Sequence, residues 1–119
     1  MKQGLVLMAH GAKDPDWYRP FEQIALALGK RLPAVAVALA YLEHGPSLQE
    51  AVAALVAKGA VAVRIVPVFL GQGGHVKRDL PRLVVEAQSA YPAVRMVLEP
   101  AVGEQAAFVE AVATVIAGR

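Results

Sequence analysis

Residues 60–75 read Ala60-Val61-Ala62-Val63-Arg64-Ile65-Val66-Pro67-Val68-Phe69-Leu70-Gly71-Gln72-Gly73-Gly74-His75. The first ten, Ala60 to Phe69, are rich in Val and Ile and apolar on both faces, the pattern of a strand covered on both sides by helices. A glycine-rich turn follows at once and ends on a histidine. Working outward, similar runs recur at Gly4–Ala9, Val35–Leu42 and Val94–Leu98. Between them lie segments of helical period. Trp17, Phe21, Ile24, Leu28 and Leu32 repeat at helical spacing behind an Asp14-Pro15 start, and Pro33 ends that helix. Ser47 and Glu50 form a capping-box pattern before Ala51–Lys58, with Gly59 as the stop. A third helix is expected from an Asp79 N-cap with Pro81 in its first turn, ending near Tyr91-Pro92. A fourth is expected over Glu104–Ala117, carrying Phe108, Val112, Val115 and Ile116.

Strand and helix alternate throughout, which predicts a single doubly wound α/β domain over residues 1–119. The expected fold is a four-stranded parallel sheet with helices on both faces, flavodoxin-like in class. A chain of 119 residues is enough for one core and too short for two.

Composition narrows the chemistry. With no cysteine, disulfides, thiolate metal sites and a Cys nucleophile are excluded. The net charge is +2 with acids and bases interspersed, which argues against a nucleic-acid partner. No apolar run approaches the roughly 20 residues that span a bilayer. The opening stretch, with His10 and Asp14-Pro15 close behind, reads as a buried strand rather than a leader. The expected location is cytoplasmic, with no membrane partner.

In open parallel sheets ligands bind beyond the carboxyl ends of the strands, where the strand order reverses. The three histidines, His10, His44 and His75, each follow an expected strand, so three loops at one sheet edge each carry an imidazole. Imidazole is the commonest metal ligand and titrates near neutral pH. Glu43 adjoins His44 at the end of the second strand, and alternation along an extended segment would send the two to opposite faces. The carboxylate is then the one expected in the site. The Gly71–Gly74 turn lacks the Gly-Lys-Ser/Thr ending of a phosphate loop and the dinucleotide spacing. Its glycines suit close approach of a flat ligand and aim His75 inward. A histidine phosphatase would need Arg where Ala9 stands. A serine hydrolase would need a nucleophile in a strained turn, whereas Ser47 reads as a cap and Ser89 as a helix-surface residue.

Three segments now carry a resemblance. Leu7-Met8-Ala9-His10-Gly11-Ala12-Lys13-Asp14-Pro15, Pro46-Ser47-Leu48 and Val66-Pro67-Val68-Phe69-Leu70-Gly71-Gln72-Gly73-Gly74-His75-Val76-Lys77-Arg78-Asp79-Leu80-Pro81 resemble the short-form sirohydrochlorin cobaltochelatase/ferrochelatase family. They do so in the same order and over nearly the whole chain. The Gly-Gly-His-Val-Lys-x-Asp-Leu-Pro stretch is the specific one. Two departures are visible: Ala12-Lys13 stands where Ser-Arg is common, and the Glu43-His44-Gly45-Pro46 loop is short by a residue.

The resemblance implies insertion of a divalent metal, cobalt first and iron or nickel as alternatives, into sirohydrochlorin for cobalamin or siroheme. It implies metal-binding positions at His10 and His75, an acidic catalytic position at Glu43, and no organic cofactor. It also implies a homodimer that places two histidine sets around one cleft. On that reading Lys13, Arg19, Lys77 and Arg78 flank the histidine loops and pair with the substrate's peripheral carboxylates. Phe69, Leu70, Gly73 and Gly74 meet the face of the ring, as do Tyr18 and Trp17, although Trp17 also starts the apolar stripe of a helix. The competing reading is a metal or tetrapyrrole carrier with the same ligands and no turnover.

Overall fold

The computed structural model describes residues 2–119. Four strands form one parallel sheet in the order β2-β1-β3-β4: β1 Lys2–Ala9, β2 Val35–Tyr41, β3 Ala60–Pro67 and β4 Arg95–Leu98. Four helices join or follow them: α1 Arg19–Arg31, α2 Leu48–Ala57, α3 Gly74–Ala90 and α4 Ala106–Ala117. The doubly wound α/β architecture expected from the sequence is the one observed.

β1 lies between β2 and β3, and its side chains alternate between two cores. Val6 and Met8 point to the face covered by α2 and α3, where Leu48, Val52, Leu55 and Leu80 close over Val63 and Ile65. Leu5 and Leu7 point to the other face, where Ala25, Leu28 and Leu32 of α1 pack beside Val66 and Val37. The path from β1 to β2 runs one way across the sheet, and the paths from β2 to β3 and β3 to β4 run the other. Crossovers of one hand that run in opposite directions must lie on opposite faces. Hence α1 sits opposite α2 and α3.

Local chemistry sets most boundaries. The Asp14 side chain accepts from the Asp16 amide, with Pro15 next, but the turn it starts is a short 3-10 segment, Pro15–Tyr18, that leads into α1. Ser47 and Glu50 form the complete reciprocal capping box, so α2 starts at Leu48, one turn earlier than the apolar pattern suggested. β2 stops at Tyr41, β4 begins at Arg95, and α4 begins at Ala106 after a 3-10 turn over Val102–Glu104.

Two expectations fail. β3 ends at Pro67, so Phe69 stands in the following loop, and Val61 and Arg64 are exposed rather than covered. The α3 helix starts at Gly74, so Asp79 is not its N-cap and Pro81 lies inside it. Proline in a helix interior lacks the amide that would bond four residues back, and reading Pro81 as a first-turn residue placed the start too late. Gly73, extended at φ −70° and ψ 163°, is the actual cap residue. No helix among the described residues is long and apolar enough to cross a membrane.

Candidate functional site

The reversal of strand order falls between β1 and β3, because β1 connects outward to β2 on one side while β3 continues to β4 on the other. That is where a parallel sheet opens a crevice at its carboxyl edge. His10 is the first residue beyond β1. His75, the second residue of α3, lies beyond β3 across the glycine turn. The two imidazoles therefore stand on the two connections that flank the switch point, His10 on a loop and His75 in the first turn of α3.

The His10 loop is tightly tied. Its carbonyl accepts from the Glu43 amide at 2.8 Å, and the Ala9 carbonyl accepts from the Leu42 amide at 3.0 Å, so the first two loops are stitched together. Gly11 has φ +89°, and a Cβ there would fall 1.8 Å from the Glu43 carbonyl oxygen. Only glycine permits both the backbone angle and the approach. The exposed His10 ring meets the edge of Phe69, with centroids 5.0 Å apart at 62°. Phe69 is buried, so it serves as the wall that steadies His10, whereas its neighbour Leu70 is 75% exposed at the mouth of the loop.

Tyr18 closes the outer side. Its hydroxyl accepts from the Ala12 amide at 3.2 Å and lies 2.7 Å from the Ala12 carbonyl and 2.6 Å from the His44 carbonyl, either of which takes its proton. Tyr18 is held by an aromatic group: Tyr41 and Trp17 meet its ring edge-on, and Phe21 packs against Trp17. Burial raises the Tyr41 phenol above its ordinary range, with Glu22 and Tyr18 adding to the effect. Tyr18 and Trp17 thus brace the loops rather than offer a free face.

The second-strand loop is a turn, not an extended segment. His44 adopts φ +55°, so the alternation expected for Glu43 and His44 does not apply, and the two side chains lie on the same side. His44 Nε2 is 3.9 Å from Glu43 Oε2, and the Glu43 side chain remains 68% exposed.

The His75 side is open. Its side chain is 83% exposed, and Nε2 lies 2.9 Å from Asp79 Oδ2, one helical turn on. Asp79 is half-buried and also lies 3.8 Å from Arg82. A carboxylate on one ring nitrogen fixes the ring and leaves the other nitrogen for a metal. Sequence reasoning missed this role. The His75-x-x-x-Asp79 spacing signals it once the helix is known to begin at Gly74.

Gly71, Gly73, Gly74, Lys77, Arg78 and Lys13 are all exposed around these loops. Lys77 lines a cleft with Gln72, Leu80, Pro81, Glu99 and Glu104, and Lys13 lines another with Tyr18, Glu22 and His44. Arg19 instead pairs with Asp16 at 3.1 Å. Among the described residues, no three of His, Asp and Glu cluster closely enough to hold a metal ion, so His10, His75 and Glu43 do not form one compact ligand set.

Comparison with known proteins follows the same outline. The CbiX family pattern matches residues 4–118. The sirohydrochlorin cobaltochelatase of Saccharolobus solfataricus is 38% identical over 82 residues, which are 68% of this chain and 62% of that protein. The chain thus matches less than two thirds of that relative's length. A crystal structure of a CbiX protein of cobalamin (vitamin B12) biosynthesis from Marinobacter aquaeolei superposes with a TM-score of 0.85 at 26% identity, covering 98% of this chain and 95% of that one. SirB, a sirohydrochlorin chelatase of Bacillus subtilis solved with cobalt, superposes with a TM-score of 0.84 at 24% identity, over 99% of this chain and 51% of SirB. SirB with Fe3+ gives 0.81 at 25% identity, over 98% of this chain and 48% of SirB.

Proposed function

The chain belongs to the CbiX family, and from that premise we propose that it is a chelatase that inserts cobalt(II) into sirohydrochlorin. The observation that carries the proposal is the placement of His10 and His75 on the two connections that flank the switch point of the sheet. Cobalt is chosen over iron and nickel because the archaeal relative is named a cobaltochelatase.

Insertion requires a partly desolvated metal, pyrrole lone pairs turned toward it, and a destination for two N–H protons. His10 and the ring nitrogen of His75 that faces away from Asp79 supply neutral ligands suited to late first-row divalent ions. Two imidazoles leave coordination positions open for the incoming pyrrole nitrogens, as catalytic metal sites do. Glu43, tied by its amide to the His10 carbonyl, is the proposed proton acceptor. The exposed side chains of Lys13, Lys77 and Arg78 pair with the substrate's carboxylates. Leu70, three-quarters exposed beside them, lies under the ring, and Gly73 and Gly74 let the ring approach the backbone. Binding at these remote groups offsets the cost of bending the macrocycle.

One copy of this chain corresponds to about half of SirB. Two copies facing each other across one macrocycle are therefore part of the proposal.

The test is anaerobic. Purified protein, sirohydrochlorin and cobalt(II) are mixed, and the absorbance change is followed against a protein-free control. Acceleration with more than one turnover per dimer is expected. Tight binding without acceleration would replace this reading by the carrier one, and no binding of either component would remove both.

A further inference from the structure

We propose that His44 is the exit for the two pyrrole protons, taking each from Glu43 and passing it to water in the cleft on the outer side of the first loop.

The relay rests on the insertion reading above and adds the route by which its protons leave. Each insertion replaces two N–H protons by one divalent ion, with no change of oxidation state. Glu43 that has accepted the first proton is a neutral acid, and it cannot take the second until it is cleared. Imidazole is the side chain that both accepts and releases protons near neutral pH.

The backbone brings such a ring to Glu43 in an unusual way. Among the described residues, His44 is the only one other than glycine with a positive φ, +55°. Side chains rarely adopt that region, and residues held in it cluster at functional sites. Its effect here is to turn the imidazole toward the carboxylate, with Nε2 3.9 Å from Glu43 Oε2. One side-chain rotation or one bridging water closes that gap. The turn is held on both sides. The Tyr18 hydroxyl lies 2.6 Å from the His44 carbonyl, and the Glu43 amide donates to the His10 carbonyl at 2.8 Å.

The two neighbours open on different spaces. Glu43 belongs with His10 at the crevice. His44 lines a separate cleft of about 480 Å³ with Lys13, Tyr18 and Glu22, and Glu43 is not among its walls. A macrocycle seated over the crevice covers Glu43, whereas His44, 43% exposed, keeps its contact with water through the cleft. The ionisable groups that face His44 are Glu43, Lys13, Glu22 and the Tyr18 phenol. Lys13 and Glu22 carry opposite charges that offset each other, and the Tyr18 hydroxyl is engaged by backbone carbonyls. Glu43 is left as the partner for proton exchange.

The transfers balance. A pyrrole N–H proton goes to Glu43, and the nitrogen lone pair it leaves goes to the metal. Glu43 returns to carboxylate by protonating the His44 imidazole, and the imidazolium gives a proton to water. The second N–H proton takes the same route. Two protons reach solvent for each metal inserted, and both side chains end as they began.

His44→Asn tests the relay, because Asn tolerates the left-handed turn and carries no proton. Cobalt insertion is measured at fixed pH and ionic strength against the concentration of morpholinoethanesulfonate, a buffer base that binds cobalt weakly. The wild-type rate should not depend on the buffer. The variant should lose about 100-fold in kcat at low buffer, the size of a general-base contribution, with KM unchanged. It should recover toward the wild-type rate as buffer rises, since external base then replaces the ring. A wild-type kcat in the variant at low buffer, or a loss that buffer leaves unrestored, would overturn the relay and leave the insertion reading standing. A wild-type chain that does not accelerate insertion would remove both.

Discussion

The loop that carries His10 and the turn that carries His75 reach the same crevice by opposite means. The first is buried at its root, hydrogen-bonded to its neighbour and closed by a glycine that admits no side chain. The second has open space around Gly71 and Gly73 and an imidazole 83% exposed, held by one carboxylate. A site that must admit a large rigid ring benefits from this asymmetry. In the proposed site His10 is fixed before binding, and His75 is oriented from a helix while its approach stays unobstructed.

Substitutions that exchange these properties should separate the two sides. Gly11→Ala should have the largest effect, since it adds about 1–2 kcal/mol of left-handed strain to about 1–3 kcal/mol of overpacking against the Glu43 carbonyl. Urea denaturation should show a loss of that combined size, and a wild-type midpoint would mean the first loop is not rigid. Asp79→Asn should come next. Loss of the carboxylate behind His75 is expected to lower insertion or metal affinity by about 10- to 100-fold with little change in the denaturation midpoint. An unaltered rate would make Asp79 a mere surface partner. Gly71→Ala should matter least to the fold, changing stability by no more than about 1 kcal/mol and in the stabilising direction. A loss as large as that of Gly11→Ala would erase the contrast between the two loops.

What the sequence made legible tracks how local each signal is. The two-faced apolar run of β1, the alternation of strand and helix segments and the capping box at Ser47 are local patterns, and the fold follows from them. The start of α3 was hidden because Pro81 imitates a first-turn proline, and with it the Asp79 contact to His75 was hidden too. His44 at φ +55° defeated the alternation argument, because a turn has no period of two. Tyr18 reaching Ala12 and His44 depends on aromatic packing between the 3-10 turn and β2, a tertiary contact with no sequence period. The apolar α4 read as an ordinary helix of the wound sheet, yet none of its twelve residues is buried, since an apolar pattern records what could be covered and not what covers it.

The central claim is that His10 and His75 act together on one metal, and cobalt insertion by His10→Ala, His75→Ala and the double variant tests it most directly. Each single variant should keep its circular dichroism spectrum and lose about 100-fold or more in rate, and the double variant should lose little beyond that, since residues acting as a unit are not additive. Near-normal rates in both single variants, or losses that multiply in the double variant, would contradict the account.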